Sequence, residues 1–395
     1  MLTCAPPPKG RKMTEETPTE GPKEAGRGRH LAPRSAHSSR KAWLVALVSA
    51  AVVLAAISVA FALTAGTKST GSATTPSSTI PSTAPAPSTS CPLSGLPAPG
   101  GQVPHRPALA IKIDNYPAAR PQSGLDQADI VFEEPVEGGI TRLVAVFQCQ
   151  NTDLVGPIRS ARAVDAPILD QLSKPIFIHV GGIPPVLSLV KAADLFDESL
   201  LARGPVVQNP RGRYAPYDTY VSTAAGWQLQ PTDTAPPASI FTYSPATPAG
   251  TPVTSLHIPY SQSSNVTWTW NPGSGNWRLS YSGVPATIAD GGQIAVPNVV
   301  VQTVQVTYGP WVENSEGALE VQCQLTGSGP LEVFRNGLEV TGTWRRSSLE
   351  APTRLVASNG STIALQPGET WVELVPSTIA VTTTPSASPS PNASG

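Results

Sequence analysis

The chain has 395 residues, enough for two or three domains, yet only 13 % are charged while 44 are proline and 33 glycine, so part of it must be linker rather than core. A net charge of −1 conceals a split: nine Lys/Arg against four Asp/Glu in residues 1–41, and 16 against 23 in residues 91–376. Such asymmetry marks a chain that lives in two environments, and the acidic part disfavours nucleic acid, whose phosphates need net positive surface.

Residues 1–41 are polar, basic and rich in Pro and Gly. They carry too little apolar surface to fold, which predicts a disordered cytoplasmic tail. Residues 42–65, AWLVALVSAAVVLAAISVAFALTA, run 24 positions without a charge. That length crosses roughly 30 Å of hydrocarbon, and no polar face makes it an amphipathic core helix. Basic residues before it place the N-terminus inside and everything after it outside. The small-residue pattern Ala60-Phe61-Ala62 fits signal cleavage, whereas the long tail and long apolar run favour an uncleaved signal anchor. Residues 66–90 are nearly all Ser, Thr, Pro, Ala and Gly, a flexible tether, and residues 377–395 repeat that composition as a second disordered tail. A glycosylation-type tripeptide, Asn392-Ala393-Ser394, falls in that tail.

The first folded domain is expected over 91–238. Residues 109–114, 129–135 and 142–149 read as strands, rich in Ile and Val between Pro/Gly turns, and 175–180 as a fourth. Ser160 is placed to cap a helix reaching about 173, with Pro167 as an interruption, and a second helix is expected from 184 to about 196. The second domain, 239–376, alternates apolar and polar residues over 266–270, 277–281, 293–308, 319–325 and 331–335. Asn336-Gly337 and Asn359-Gly360 are hairpin signals, and Trp268, Trp270, Trp277, Trp311, Trp344 and Trp371 supply core volume. The fold class expected is α+β: a mixed α/β domain, then a mostly antiparallel sandwich- or barrel-like β domain, preceded by one transmembrane helix.

Between the strands of the first domain lie Asp114-Asn115, Ala119-Arg120-Pro121-Gln122-Ser123-Gly124-Leu125, Glu137-Gly138-Gly139-Ile140-Thr141-Arg142 and Gly156-Pro157-Ile158-Arg159-Ser160-Ala161-Arg162. These motifs resemble those of the YerB-type bacterial envelope proteins. Arg213-Tyr214-Ala215-Pro216-Tyr217-Asp218, Asn298-Val299-Val300-Val301-Gln302, Gly342-Thr343-Trp344 and Pro367-Gly368-Glu369-Thr370-Trp371-Val372 extend the likeness over roughly 91–376. It implies two domains of unknown function and an envelope location, without an activity. Two departures stand out. Many of that family resemble lipoproteins, whereas no cysteine follows the apolar run here until Cys91, too late for lipid attachment. Tyr217-Asp218 stands where relatives more often have His-Asn, which weakens any role for a histidine there.

Outside the membrane, Cys91, Cys149 and Cys323 allow at most one bridge; Cys91 with Cys149 is favoured because both lie in the first domain. His105, His179 and His257 are scattered, no Cys/His pair has zinc spacing and no cofactor is expected, although an oxygen-ligand site from Asp114, Glu133, Glu134 and Glu137 needs no fixed spacing. Ser188-Leu189-Val190-Lys191 matches a penicillin-binding-protein pattern whose companion motifs are missing, and reads as a helix face. Glu133 and Glu134 alternate across a strand, and Glu137 falls near one of them. The acid–base candidates for a cell-wall glycan hydrolase or transferase are Asp114, Glu133, Glu137 and His179; the alternative is that the carboxylates neutralise buried arginines.

The sharper expectation concerns the arginines. Arg159, Ser160 and Arg162 at a helix start, with Arg142 and Arg120 converging, form a face for an anionic envelope polymer: peptidoglycan carboxylates or phosphate-bearing glycans. The expected protein is a single-pass, membrane-anchored, extracytoplasmic binding or maintenance module. A glycan-modifying enzyme is the alternative, and a contact for another envelope protein the third reading.

Overall fold

The computed structural model describes residues 89–202, 204, 207–209, 212–230 and 234–386. The expected cytoplasmic tail 1–41, transmembrane helix 42–65, nearly all of the linker, and Asn392 lie outside the described residues. Among the described residues no helix is long and apolar enough to cross a membrane.

Three apolar runs separated by Pro/Gly turns form β1 (Leu109–Asp114), β2 (Ile130–Pro135) and β3 (Thr141–Phe147). β3 lies between the other two and antiparallel to both, with Ile130 and Ala110 each opposite Val146. Every residue of these strands is buried, as in a sheet covered on both faces. The β2–β3 link is a turn, Glu137–Gly139, whose Gly138 and Gly139 take φ of 72° and 69°, a region costly for residues with a Cβ. β4 (Ile176–His179) and β5 (Phe196–Ser199) extend the sheet in parallel beyond β1.

The second half contributes β6 (Thr251–Pro259), β7 (Asn265–Asn271), β8 (Asn276–Tyr281), β9 (Val284–Pro285), β10 (Ala295–Val296), β11 (Asn298–Val304), β12 (Val306–Val312), β13 (Leu319–Cys323), β14 (Gly327–Arg335), β15 (Leu338–Arg346), β16 (Arg354–Ala357), β17 (Thr370–Pro376) and β18 (Thr382–Pro385). β17 is the joint between the halves: it pairs in parallel with β11 on one side and β2 on the other, Glu373 facing Glu133. One sheet therefore runs β10-β8-β7-β6-β15-β14-β11-β17-β2-β3-β1-β4-β5, and β12–β13 forms a separate hairpin. Asn336 and Gly337, at φ of 54° and 72°, make the tight turn between β14 and β15.

Alternate residues of the central strands feed two cores. Ala110, Phe132, Val144 and Val372 pack with Ala161, Ile168, Leu172 and Val186. Ile111, Val131, Ala145 and Trp371 pack with Leu256, Trp268 and Leu279, so β6–β8 fold over the second face. Trp268 meets Trp371 edge-on at 5.4 Å between centroids. Truncating Trp371, which is fully buried, to Ala would cost about 3–5 kcal/mol. Cys91 and Cys149 are joined, Cα to Cα 6.0 Å, and Cys323 is free and buried. Among the described residues the chain is β-rich with few helices.

Several expectations need correction. The helix expected from Ser160 starts at Asp165 instead: α1 (Asp165–Leu169) has Val164 as its uncapped N-cap. The backbone before it is committed to the sheet, Arg159 N–H donating to Lys112 and Ala161 N–H to Gly181. The late start also puts Pro167 in the first turn, where its missing N–H does no harm. α2 (Pro184–Ala192) stops before Phe196, because 196–199 is needed as β5. The stretch 293–308 is three strands, broken at Pro297 and Gln305. Residues 382–385 are not tail: β18 pairs antiparallel with β6, its threonines fitting an exposed strand surface. A last short helix, α3 (Thr223–Gln228), is capped by the Ser222 hydroxyl, which accepts from Ala225 N–H.

Candidate functional site

The β1 end, the β2–β3 turn, the 158–162 segment, the 180–183 loop and the tip of the β12–β13 hairpin surround a cleft of about 690 Å³. Arg142, Arg159, Ser160 and Arg162 all line it, together with Asp114, Glu137 and Glu313. The cause is strand geometry: Asp114 pairs with Arg142 across β1–β3, and Ile158 bridges to Ile113, setting the 159–162 segment beside that end of the sheet.

The three guanidiniums are in different states. Arg162 is saturated: Nε donates to Glu137 Oε2 at 2.6 Å, Nη2 donates to Glu137 Oε1, and Nη1 contacts Glu313 Oε1 at 2.7 Å. Burial opposes ionisation of Glu137, but the hydrogen bonds from Arg162 and the charges of Arg142 and Arg162 overcome it and hold that carboxyl down at about 2. Arg159, 30 % exposed, pairs with Asp114 Oδ2 at 3.0 Å. Arg142 is buried and incompletely matched: Nη1 donates to the Ser160 carbonyl at 3.0 Å, Nη2 lies 3.5 Å from Glu137 Oε1, and Nε has no partner among the described residues. Burial and then the neighbouring Arg162 lower its guanidinium to about 10. The amides of Gly182 and Ile183, which precede α2, also donate to no protein group among the described residues. Arg159 Nε likewise makes no hydrogen bond among the described residues, but Arg159 has Asp114 as a close counter-ion, so the cleft holds Arg142 as its least matched cation and free N–H groups beside paired charges.

Two profiles of unknown function match the chain: "Protein of unknown function (DUF3048) N-terminal domain" over residues 93–234 and its C-terminal domain over 256–372. The chain is 31 % identical to "Putative lipoprotein YerB" of Bacillus subtilis (strain 168) over 291 residues, 70 % of this chain and 83 % of that protein. It belongs to the YerB family. The crystal structure of the Bacillus subtilis YerB protein matches the fold with a TM-score of 0.64 at 24 % identity, over 74 % of this chain and 99 % of that one. Only the first three residues of β17 fall inside the segment matched by the C-terminal profile of the YerB family, which ends at 372, while its partner β2 sits inside the N-terminal one.

The other sequence-derived candidates are scattered. Arg120 does not converge with the arginines of the cleft; it lies over the Tyr281 ring at 3.6 Å and donates from Nε to Asn115 Oδ1. Glu133 is sealed on the β6–β8 side, accepting from Thr141 Oγ1 at 2.6 Å, Tyr281 OH at 2.9 Å and Trp371 Nε1 at 3.2 Å. Burial raises its pKa, and burial with the charge of Glu133 raises that of Glu373 opposite it. Glu137 makes its ion pairs with Arg142 and Arg162. His179 is buried with both ring nitrogens engaged, Nδ1 with the Gly181 carbonyl at 2.9 Å and Nε2 with Asp197 Oδ1 at 2.7 Å, so it braces the 180–183 loop. Among the described residues no cluster of His, Cys, Asp and Glu has metal-binding geometry.

Sequence reasoning missed the groups beneath the cleft. Lys112, fully buried, binds Glu134 Oε1 and Asp165 Oδ1, the latter at 2.6 Å, and Asp165 Oδ2 accepts from Arg162 N–H at 2.6 Å. Glu320 accepts from Ala163 N–H at 2.8 Å, and burial plus contact with Glu313 push it up to about 8. A lysine in the middle of the apolar run IKI was a readable sign of a buried partner; Glu313 and Glu320 gave none.

Proposed function

We propose that this protein is a membrane-anchored, extracytoplasmic binding module of the cell envelope whose cleft takes one anionic group, a carboxylate or phosphate of an envelope polymer. The observation that carries the reading is Arg142: a buried guanidinium lining an open cleft, with an unpartnered Nε. Glu137 and Glu313 neutralise Arg162 and Asp114 neutralises Arg159, so Arg142 is the cation left without a full counter-charge. An oxyanion there would meet Arg142, the exposed side of Arg159 and the free amides before α2, the last aided by the helix dipole. The anchor is the apolar stretch 42–65 with the N-terminus cytoplasmic, and the relative named a lipoprotein supports an envelope location.

The geometry favours binding over acid–base hydrolysis. Glu137, held at about 2, has no proton to give near neutrality, and Glu133 and His179 are enclosed by their partners. Thermal unfolding of the full-length protein with inorganic phosphate, acetate, teichoic acid and peptidoglycan fragments tests the reading. A ligand at about 100 times its Kd should add about 2.7 kcal/mol. The shift should vanish in Arg159→Ala; an unchanged shift in that variant would remove the cleft from the account.

A further inference from the structure

The separation of Arg120 from the other arginines leaves it at a second opening. This one, of about 440 Å³, lies between the 117–122 segment and the 262–263 and 281–287 turns, on the far side of Asn115. Its chemistry differs from that of the first cleft. No Asp or Glu lines it; the walls are Pro121, Val284, Pro285 and Ala286, with Ser263 and Thr287 at the edge. Arg120 is held rigidly, stacked on Tyr281 with Nε and Nη2 bound to Asn115 at 3.1 and 2.8 Å. Its Nη1 makes no hydrogen bond to protein, and Arg120 makes no ion pair, among the described residues. Val284 is 67 % exposed on the rim.

We propose that this opening is a second binding site, for a carboxylate carried on a small apolar body. A fixed guanidinium with free N–H groups and no competing carboxylate on the walls supplies the anion contact. Proline, valine and alanine walls supply apolar surface that a bare phosphate would leave uncovered. The site stands apart from the Arg142 cleft, so neither depends on the other.

The test is isothermal titration of the full-length Arg159→Ala protein, in which the first cleft no longer takes an anion, with N-acetyl-leucine, beside its uncharged amide and inorganic phosphate. The free acid should bind saturably, and the amide and phosphate at least about tenfold more weakly, the loss of one charge-assisted hydrogen bond or of the apolar contact. Arg120→Ala should weaken the acid similarly. Because that change also loosens Asn115, Val284→Glu is the deciding variant: it places a carboxylate in the opening without touching Arg120's anchors, and should also weaken binding at least about tenfold. Equal binding of acid and amide, full binding by Val284→Glu, or no saturable binding up to about 10 mM would each overturn the proposal.

Discussion

The Lys112–Glu134–Asp165 triad offers a prediction with an unusual sign. All three side chains are fully buried, with two carboxyls facing one ammonium. If all three were ionised, the core would hold an uncompensated negative charge, so one proton stays on the pair of acids. Burial and then the charge of Asp165 push Glu134 up to about 8, which puts that proton on Glu134 near neutrality. Glu134→Gln should therefore lose about 1 kcal/mol, one neutral hydrogen bond, but escape the cost of keeping Glu134 protonated, already about 2 kcal/mol at pH 6, so the variant should be slightly the more stable there. Asp165→Asn should cost about 1.5–3 kcal/mol through its weakened bond to Arg162 N–H, while Glu134 ionises and takes over as counter-ion. The double variant strands Lys112 and should cost about 3–5 kcal/mol beyond the hydrogen bonds, giving a coupling of at least about 2 kcal/mol. The pH dependence follows from the same proton. Unfolded Glu134 releases it near the ordinary 4.5 and folded Glu134 only near 8, so stability falls as pH rises through that window, by at most about 5 kcal/mol. Urea unfolding of wild type and the three variants between pH 5 and pH 8.5 reads both effects. Additive variants, or parallel pH profiles for wild type and Glu134→Gln, would refute the shared-proton account.

Arg162→Ala leaves Glu137 and Glu313 buried without their common partner and should cost about 3–5 kcal/mol in urea unfolding, partly recovered by adding Glu313→Gln. The acid limb belongs to Glu137: with its folded pKa held at about 2, the stability it contributes above pH 4.5 should be lost as pH falls toward 2, and Glu137→Gln should flatten that limb. Replacing Cys91 and Cys149 together by Ala opens a loop of 58 residues and should lower stability by about 4 kcal/mol on the chain-entropy estimate, with no further effect of reductant.

Local signals carried much of the strand content. Runs such as VAVF in β3 and LEVF in β14 are β-branched or aromatic between turn residues, and Asn336-Gly337 forms the turn its chemistry demands. Local signals could not report partners far apart in the chain. β17 reads as an ordinary apolar strand, and nothing in its seven residues says that it pairs with β2, some 240 positions earlier, rather than only with its own half. The helix expected at Ser160 failed for the same reason, since a good N-cap residue was overridden by backbone bonds to Lys112 and Gly181. Four of the five arginine-face residues, Arg142, Arg159, Ser160 and Arg162, do share one cleft because they flank paired strand ends. Arg120 left the group because Asn115 and Tyr281, the latter 161 positions downstream, hold it on the other side.

The central claim is that an anion seats on the under-matched guanidinium of Arg142. Uniform ¹⁵N labelling would resolve its Nε–H signal, assigned by its disappearance in Arg142→Lys. Titration with inorganic phosphate or acetate should move that signal saturably, together with those of Arg159 and the Gly182 amide, and Arg159→Ala should abolish the response. An Arg142 Nε–H signal that stays still while the protein binds either anion elsewhere would contradict the account.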